Sequence, residues 1–197
     1  MKITTIIPTY KDRGYLKHAI KSIQNQTYKN HQLLIGKGGT VGANINSCIP
    51  FIKGDIVHFM GDDDLLPSYV YQTVVDNFKG DMMHGNSIRF KNPYSLLIAK
   101  PSIEKPTLQE MIKNNALIGG TCYYKREIFD KWDETLTTAE EYDFNLRKIK
   151  EGANIQYLNE ILYFYRIHQN QKSIGNKDKD YQAKRDEVKR TIKLRYI

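Results

Sequence analysis

Strand-like and helix-like segments alternate through the first 60 residues, and this alternation restricts the possible folds more than any other feature of the chain. The runs Ile3–Ile7, Gln32–Ile35 and Asp55–Met60 are rich in β-branched and other apolar residues, and each predicts a strand. Between the first two runs, residues 16–23 carry apolar side chains at helical spacing. Strands that alternate with helices indicate βαβ units, so the sequence predicts an α/β fold with a parallel sheet.

A polar or glycine-rich turn follows each of these predicted strands. The turns are Pro8–Tyr10, Gly36–Gly39 and Asp62–Asp64. In a parallel sheet the carboxyl ends of the strands meet at one edge, and ligands bind there. We therefore expect the three turns to converge on one ligand site.

The turn at Asp62, Asp63 and Asp64 carries three adjacent carboxylates, which repel one another unless a cation lies among them. Carboxylate oxygens suit Mg²⁺ or Mn²⁺, and such ions often share their coordination with substrate phosphates. The same residues also suit a solvated acidic turn, or a helix start with Asp64 near its N-terminus. The triplet alone leaves a metal site and an acidic turn equally open.

The rest of the chain predicts further elements with less regular patterns. A helix is expected after Pro67, and the stretch around residues 44–52 has helical character. Residues 80–105 hold short strand-like pieces interrupted by prolines, so we interpret this region as irregular with antiparallel additions. Later segments predict helices at Leu108–Asn114 and Ala139–Lys150, strands at Thr121–Tyr124 and Ile161–Ile167, and a basic helix from Tyr181 onward.

Size and composition are those of a globular domain. The 197 residues fit one domain, or one domain with a small appendage, and 40% apolar residues suffice for a core. There is no secretory signal pattern, and no run approaches the roughly 18 apolar residues of a membrane span, so a soluble cytoplasmic protein is expected. Cys48 and Cys122 lack metal-site spacing, and we expect them to be free thiols.

Much of the formal net charge of +8 lies near the C-terminus. Basic segments of this kind bind nucleic acid or an anionic membrane surface in some proteins, and form a solvated helix face in others. The cations are Lys172, Lys177, Lys179, Lys184, Arg185, Lys189, Arg190, Lys193 and Arg195. Charge alone leaves these alternatives open.

Six short motifs occur in order along the chain. They are Ile6–Tyr10, Ser22–Tyr28, Lys53–Ile56, Asp62–Pro67, Glu140–Arg147 and Tyr165–His168. Together they resemble the inverting family 2 glycosyltransferases of the GT-A fold, over about residues 3–173. The resemblance implies a Rossmann-like α/β fold whose central, mainly parallel sheet is flanked by helices and carries a small antiparallel addition. It further implies a transferase domain over residues 1–175, with a nucleotide-sugar half (about 1–92) and an acceptor half (about 93–175), and then a basic helix over 176–197.

The resemblance implies transfer of a sugar from a nucleotide-diphosphate sugar to a hydroxyl of a glycan or glycoconjugate acceptor. A UDP-sugar is the expected donor because uridine is the commonest base in this family, and Mn²⁺ or Mg²⁺ is the expected cofactor. Related domains also occur as modules of longer enzymes, and a peripheral membrane location is compatible with the charge. Three alternatives stay open: nucleotidyl or phosphate-ester chemistry at the same aspartates, a nucleic-acid-binding module that uses the basic tail, and a donor-binding domain without catalytic activity. No nucleic-acid-binding motif supports the second alternative, so no specific nucleic acid is expected.

The resemblance assigns donor binding to Pro8, Thr9, Tyr10, Arg13, Lys37, Asp62, Asp63 and Arg166. Tyr10 would stack on the nucleobase, an interaction worth about 1–3 kcal/mol, although a core tyrosine would have the same pattern. Arg13 would contact phosphate, or be a solvated charge at a helix start. Lys37 would contact phosphate or the nucleobase, or lie in an exposed glycine turn. Arg166 and Lys172 would lie near the diphosphate.

The acidic triplet resembles the DxD element, which in this family holds the metal that bridges the diphosphate. A divalent cation stabilises the charge that grows on the leaving nucleoside diphosphate. Asp62 and Asp64 have the DxD spacing, and His168 is the expected third ligand, while a register that uses Asp63 stays open. Gly61 precedes the triplet, where relatives often carry an acidic residue.

An inverting transferase needs a general base that takes the proton of the acceptor hydroxyl. In the family a carboxylate at a helix start has this role, so the pair Glu140 and Glu141 predicts Glu141 as the base, with Asp143 as the second candidate. Carboxylates at a helix N-terminus also stabilise helices without any catalytic role. Trp132 would offer a flat face to an acceptor sugar, or serve as a core residue.

Overall fold

The computed structural model of this protein describes residues 1–11, 13–169, 171 and 179–197. Lys172 and Lys177, two of the cations noted above, lie outside the described residues. The described strands are β1 (Ile3–Thr9), β2 (His31–Lys37), β3 (Ile56–Phe59), β4 (Met82–Phe90), β5 (Leu96–Ala99), β6 (Tyr123–Lys125) and β7 (Ile155–Arg166). The described helices are α1 (Leu16–Gln24), α2 (Val41–Cys48), α3 (Val70–Asn77), α4 (Leu108–Lys113), α5 (Glu140–Lys150) and α6 (Lys179–Leu194).

These strands form one mixed sheet in the order β2-β1-β3-β6-β4-β5, and β7 pairs with β4. The β1–β2, β1–β3 and β4–β7 pairs are parallel and contain most of the paired residues. The pairs of β6 with β3 and β4, and of β4 with β5, are antiparallel. The predicted mainly parallel sheet with an antiparallel addition is confirmed. Because β1, β3 and β7 run in the same direction, their C-terminal ends lie at the same edge of the sheet.

Both faces of the sheet are covered, which explains why its central strands are apolar on each side. On β1, Ile6 belongs to the hydrophobic cluster on one face, whereas Ile3 and Ile7 belong to the cluster on the other. On β3, Val57 belongs to the same cluster as Ile6, and Ile56 belongs to the other cluster. This alternation is the two-residue period of a strand.

The region from residue 80 to 105 differs from its sequence prediction. Where irregular chain with short strand pieces was expected, Met82–Phe90 forms one continuous strand of nine residues, followed by a hairpin to β5. Strands β6 and β7 lie on either side of β4 and pair with its backbone N–H and C=O groups. Strand β7 is also longer than predicted, because it begins at Ile155 rather than at Ile161. The expected antiparallel addition is present as the β4–β5 hairpin. The expected irregularity was wrong, because long-range pairing, which leaves little trace in the local pattern, stabilises a continuous strand.

Helix α6 packs on the core of the domain. Ile192 is fully buried, and Val188 and Tyr196 pack against the same hydrophobic cluster. Just beyond the helix, Arg195 forms an ion pair with Asp133 at 2.8 Å. The basic C-terminal segment therefore has one face buried in the protein and is not a fully solvated tail.

Two further features concern the cysteines and the lengths of the helices. Cys48 and Cys122 are both buried and unpaired. Among the described helices, none has the length and apolar character that crossing a bilayer requires.

Docking of α6 can be tested by truncating its buried side chain. Ile192→Ala should lower the free energy of unfolding by about 2–4 kcal/mol, because deletion of a fully buried side chain leaves a cavity. Leu194 lies on the same helix and is 69% exposed, so Leu194→Ala is the matched control, with an expected change below about 0.5 kcal/mol. Urea unfolding measures both variants. Equal, small effects would show that α6 does not pack as described.

Candidate active site

A cavity of about 880 Å³ opens at the edge of the sheet where β1 and β3 end. Its wall includes Pro8 and Tyr10 from the first turn, and Asp62 and Asp63 from the acidic turn. Tyr10 is 83% exposed, so its ring is available to a ligand rather than packed in the core. Glu141, at the start of α5, lines the same cavity. The volume is in the usual range for small-molecule sites.

Asp62 ties the acidic turn to strand β1. The Thr9 hydroxyl donates to one carboxylate oxygen of Asp62 at 2.5 Å, and Arg13 donates to the other at 2.8 Å. Both oxygens of Asp62 are thus engaged by the protein. Arg13 also supplies part of the positive charge that the adjacent carboxylates require.

Asp63 connects the acidic turn to the end of β7. Nε2 of His168 lies 2.9 Å from Oδ2 of Asp63, and Arg13 approaches the same oxygen at 3.3 Å. Nε of Arg166 donates to the Asp63 carbonyl at 2.7 Å, while its guanidinium stacks on the ring of Tyr15 at 4.8 Å. Arg166 therefore holds the backbone of the turn, and Asp63 is the carboxylate that has an imidazole beside it.

Asp64 is buried and hydrogen-bonded on both carboxylate oxygens. The Tyr163 hydroxyl donates to Oδ2 and the backbone N–H of Arg166 donates to Oδ1, each at 2.7 Å. Burial, and then the charge of Asp63, raise the pKa of Asp64 to about 8. A Cβ at Gly61 would come within 2.8 Å of the carboxylates of Asp63 and Asp64. A side chain at position 61 would therefore displace these carboxylates, of which Asp64 is held by Tyr163 and by the backbone of Arg166.

The side chains at Asp63 and His168 suit a divalent cation such as Mn²⁺ or Mg²⁺, since one offers a carboxylate and the other an imidazole. Within the described ranges, no group of three or more His, Cys, Asp or Glu side chains is arranged to hold a metal. An ion here would need further oxygen ligands from a phosphate or from water, as Mg²⁺ sites commonly do. The residues fit a metal that binds together with an anionic ligand.

Glu141 lines the cavity from the first turn of α5. Burial raises its pKa to about 8, against the lowering effect of hydrogen bonds from the Gly120 N–H and the Cys122 thiol. Ala139, which caps this helix, has φ 59°, a left-handed conformation that costs a non-glycine residue about 1–2 kcal/mol. A half-buried carboxyl with a raised pKa, next to strained backbone and open to a cavity, is a candidate proton acceptor.

Gly120 connects Glu141 to the interior of the sheet. Its N–H donates to Oε1 of Glu141 at 3.4 Å, and its φ of +79° favours glycine. The ring of Tyr163 packs where a Cβ of residue 120 would lie, so a larger residue would be excluded. Nε2 of His58 donates to the Gly120 carbonyl at 2.8 Å, and burial lowers the pKa of His58 to about 4. No local sequence pattern indicates this role of His58, because the contact spans 62 residues.

Three other residues singled out from the sequence have different surroundings. Oδ1 of Asp143 accepts a hydrogen bond from the Tyr196 hydroxyl at 3.1 Å, on the side of α5 opposite Glu141. Lys37 is exposed at the end of β2, outside the lining of the cavity. Trp132 lines the cavity, but it is buried and stacks on Phe144 with ring centroids 4.7 Å apart.

Helix α6 adds residues to the cavity wall that the sequence had assigned only to a basic tail. Tyr181, Arg185 and Lys189 all line the cavity. Their spacing of four residues places them on one helix face and is visible in the sequence. This helix face contacts Thr138, which lies more than 40 residues earlier in the chain. The spacing alone could therefore not assign α6 to the site.

Solved structures with low sequence identity share this architecture. The crystal structure of S. aureus TarS 1-349 in complex with UDP-GlcNAc matches with a TM-score of 0.69 at 16% identity, over 87% of this chain and 60% of that chain. The mannosyltransferase PcManGT from Pyrobaculum calidifontis, in complex with GDP-Man and Mn²⁺, matches with a TM-score of 0.57 at 13% identity, over 98% and 61%. The chain has the GT-A fold.

Sequence relatives of this GT-A domain carry names that agree with the fold. The uncharacterized glycosyltransferase EpsJ of Bacillus subtilis (strain 168) is 21% identical over 212 aligned positions, which cover 85% of this chain and 62% of EpsJ. The chain spans 62%, 30% and 36% of the lengths of the first three curated relatives. No known family model matches the chain.

Proposed function

We propose that this protein is an inverting glycosyltransferase that moves a sugar from a UDP-sugar to a hydroxyl group of a glycan or glycoconjugate, with Mn²⁺ or Mg²⁺ as cofactor. The observation that carries the proposal is that Glu141, whose pKa is raised, lines the same cavity as Asp62 and Asp63. The GT-A fold and the names of the relatives favour this reaction over nucleotidyl transfer and over nucleic-acid binding.

The donor binds over the C-terminal ends of β1 and β3. Tyr10 is exposed at the cavity and stacks on the uracil ring, and Pro8 lines the wall beside it. Arg13 forms ion pairs with the two cavity-lining aspartates and contacts a phosphate oxygen of the donor. Thr9 acts through its hydrogen bond to Asp62 and orients that carboxylate.

Asp63 and His168 are the residues that would hold the metal. Asp64, which the sequence favoured as a ligand, already accepts hydrogen bonds on both oxygens, whereas Asp63 lines the cavity with an imidazole nitrogen 2.9 Å away. When bound, the metal acts as a Lewis acid that stabilises the negative charge on the leaving diphosphate. Asp62, the other ligand expected from the sequence, likewise accepts hydrogen bonds on both oxygens, so its role is to position Arg13 at the border of the same space.

Glu141 acts on the acceptor. As the acceptor hydroxyl oxygen bonds to the anomeric carbon, the bond from that carbon to the diphosphate oxygen breaks, and the hydroxyl proton passes to the Glu141 carboxylate. Attack from the side opposite the leaving group inverts the anomeric carbon. The Gly120 N–H holds one carboxylate oxygen of Glu141, which fixes the orientation of the base.

The pKa of Glu141 predicts how the transfer rate depends on pH. With a pKa of about 8, Glu141 is deprotonated in about one tenth of the protein molecules at pH 7. A general base must be deprotonated, so kcat/KM should rise about tenfold from pH 6 to pH 7 and level off above about pH 8. Steady-state rates at saturating Mn²⁺ measure this. A profile that stays flat from pH 6 to pH 9 would contradict the assignment of the base.

The donor assignment is tested with a panel of nucleotide sugars. UDP and UDP-sugars should bind in the presence of Mn²⁺ in calorimetric titrations, and the UDP-sugar should be hydrolysed slowly when no acceptor is present. GDP-mannose in the same panel tests whether the donor nucleotide carries uracil or guanine. Turnover of nucleoside triphosphates without turnover of any nucleotide sugar would support nucleotidyl transfer instead.

A further inference from the structure

One stripe of helix α6 faces the cavity. Tyr181, Arg185 and Lys189 lie four residues apart and all three line the cavity wall. The neighbouring stripe, with Val188 and the fully buried Ile192, packs on the hydrophobic core. Because this apolar stripe fixes the rotation of the helix, the cavity-facing side chains cannot turn outward without exposing the core.

This part of α6 lies next to the segment that carries Glu141. The hydroxyl of Tyr181 is 3.4 Å from Oγ1 of Thr138, and Thr138 lines the cavity two residues before α5 begins. The metal-binding pair Asp63 and His168 belongs instead to the ends of β3 and β7. The α6 stripe therefore borders the acceptor end of the cavity.

Among the described residues, no carboxylate is in direct contact with the two cations of this stripe. In the described part of the chain, neither Arg185 nor Lys189 has an ion pair within 4.0 Å, whereas Arg195 pairs with Asp133 at 2.8 Å. Nε of Arg185 is enclosed and has no hydrogen-bond partner among the described residues. Burial, and then the charge of Arg185, lower the pKa of Lys189, and the opposing effect of Asp186 is smaller.

Two adjacent cations that line one cavity favour an anion there. We infer that Arg185 and Lys189 bind an anionic group, a phosphate or a carboxylate, that the acceptor glycan carries. Guanidinium binds either group through parallel N–H donors, and the ammonium of Lys189 adds a second charge. This acceptor site presupposes the proposed transferase function, and it narrows the acceptors to acidic glycans or sugar phosphates.

The test uses the full chain saturated with UDP and Mn²⁺, so that the donor end is filled. Glucose 6-phosphate and glucuronate serve as anionic probes and glucose as the neutral one, with binding measured by calorimetry. An anionic probe should bind at least about tenfold more tightly than glucose. Arg185→Gln and Lys189→Gln should each weaken the binding of that probe by about tenfold or more, and both should leave the Kd for UDP unchanged.

The matched controls are Lys184→Gln and Arg190→Gln, which remove the same charge from exposed positions of the same helix. These two should leave binding of the anionic probe unchanged. Equal affinity for glucose and for both anionic probes overturns the inference, and so does equal weakening by the control variants. A loss of UDP affinity in Arg185→Gln would assign these cations to the donor instead. If the wild type binds an anionic probe through Arg185 but binds no UDP, the anion site stands and the proposed donor is wrong.

Discussion

Replacing Glu141 by glutamine should lower kcat by about 10²–10⁴-fold while leaving the Kd for the UDP-sugar unchanged. The expected loss is the usual contribution of a general base, because glutamine fills the same space but cannot accept the hydroxyl proton. Glutamine also keeps a side-chain oxygen that can accept the hydrogen bond of the Gly120 N–H. The fold around the cavity should therefore survive, and single-turnover transfer together with donor titration separates chemistry from binding.

The adjacent Glu140 provides the matched control. Glu140 lines the same cavity at the start of the same helix, so Glu140→Gln removes the same charge one residue away. Its kcat should stay within about tenfold of the wild type, with a small decrease in the pKa of Glu141 because one neighbouring negative charge is lost. Similar losses of kcat in both variants would mean that the start of α5 contributes to folding or to the electrostatic field of the cavity. They would not support proton transfer by Glu141.

Asp63→Asn should raise the Mn²⁺ concentration required for activity and lower kcat/KM by about 100-fold or more. The amide keeps the size of the side chain but is a weaker ligand than a carboxylate, so less charge stabilisation reaches the leaving diphosphate. The measurement is a Mn²⁺ titration of donor binding and of transfer. His168→Gln, which removes the imidazole at 2.9 Å from Asp63, should shift the same titration in the same direction.

Asp64 provides the test of which aspartate of the turn binds the metal. Asp64→Asn should keep a Mn²⁺ midpoint close to that of the wild type, because the Asp64 carboxylate is engaged by Tyr163 and by the backbone of Arg166. If the Mn²⁺ midpoint shifts in Asp64→Asn but is normal in Asp63→Asn, then Asp62 and Asp64 bind the metal, as the DxD spacing first suggested. A protein with normal activity after removal of all divalent ions would exclude the metal from the mechanism.

Local patterns were sufficient for the strands and helices that are strongly periodic. The runs at Ile3–Ile7 and Gln32–Ile35 became β1 and β2, and the apolar spacing over residues 16–23 became α1. Their amphipathic or β-branched character comes from neighbouring residues, so it is present in the sequence itself. The strand Met82–Phe90 was predicted only in pieces, since its continuity depends on pairing with β7, which lies about 70 residues away in the chain.

The candidate site divides in the same way. The sequence was enough to identify the chemical groups: an aspartate triplet after a strand, a pair of glutamates at a helix start, and a histidine after an aromatic strand. Tertiary structure alone decided that Asp63, rather than Asp64, lies beside His168, because that contact depends on where β7 ends relative to β3.

Helix α6 is the clearest case in which the tertiary structure changed an interpretation. Its net charge and its four-residue spacing are properties of the sequence, and they were compatible with a solvated tail or a nucleic-acid-binding segment. Burial of Ile192 fixes the rotation of the helix and directs Arg185 and Lys189 to the cavity. Short-range patterns specify backbone periodicity and the kinds of side chain present, whereas contacts between distant residues depend on strand pairing and core packing, which act only in the folded chain.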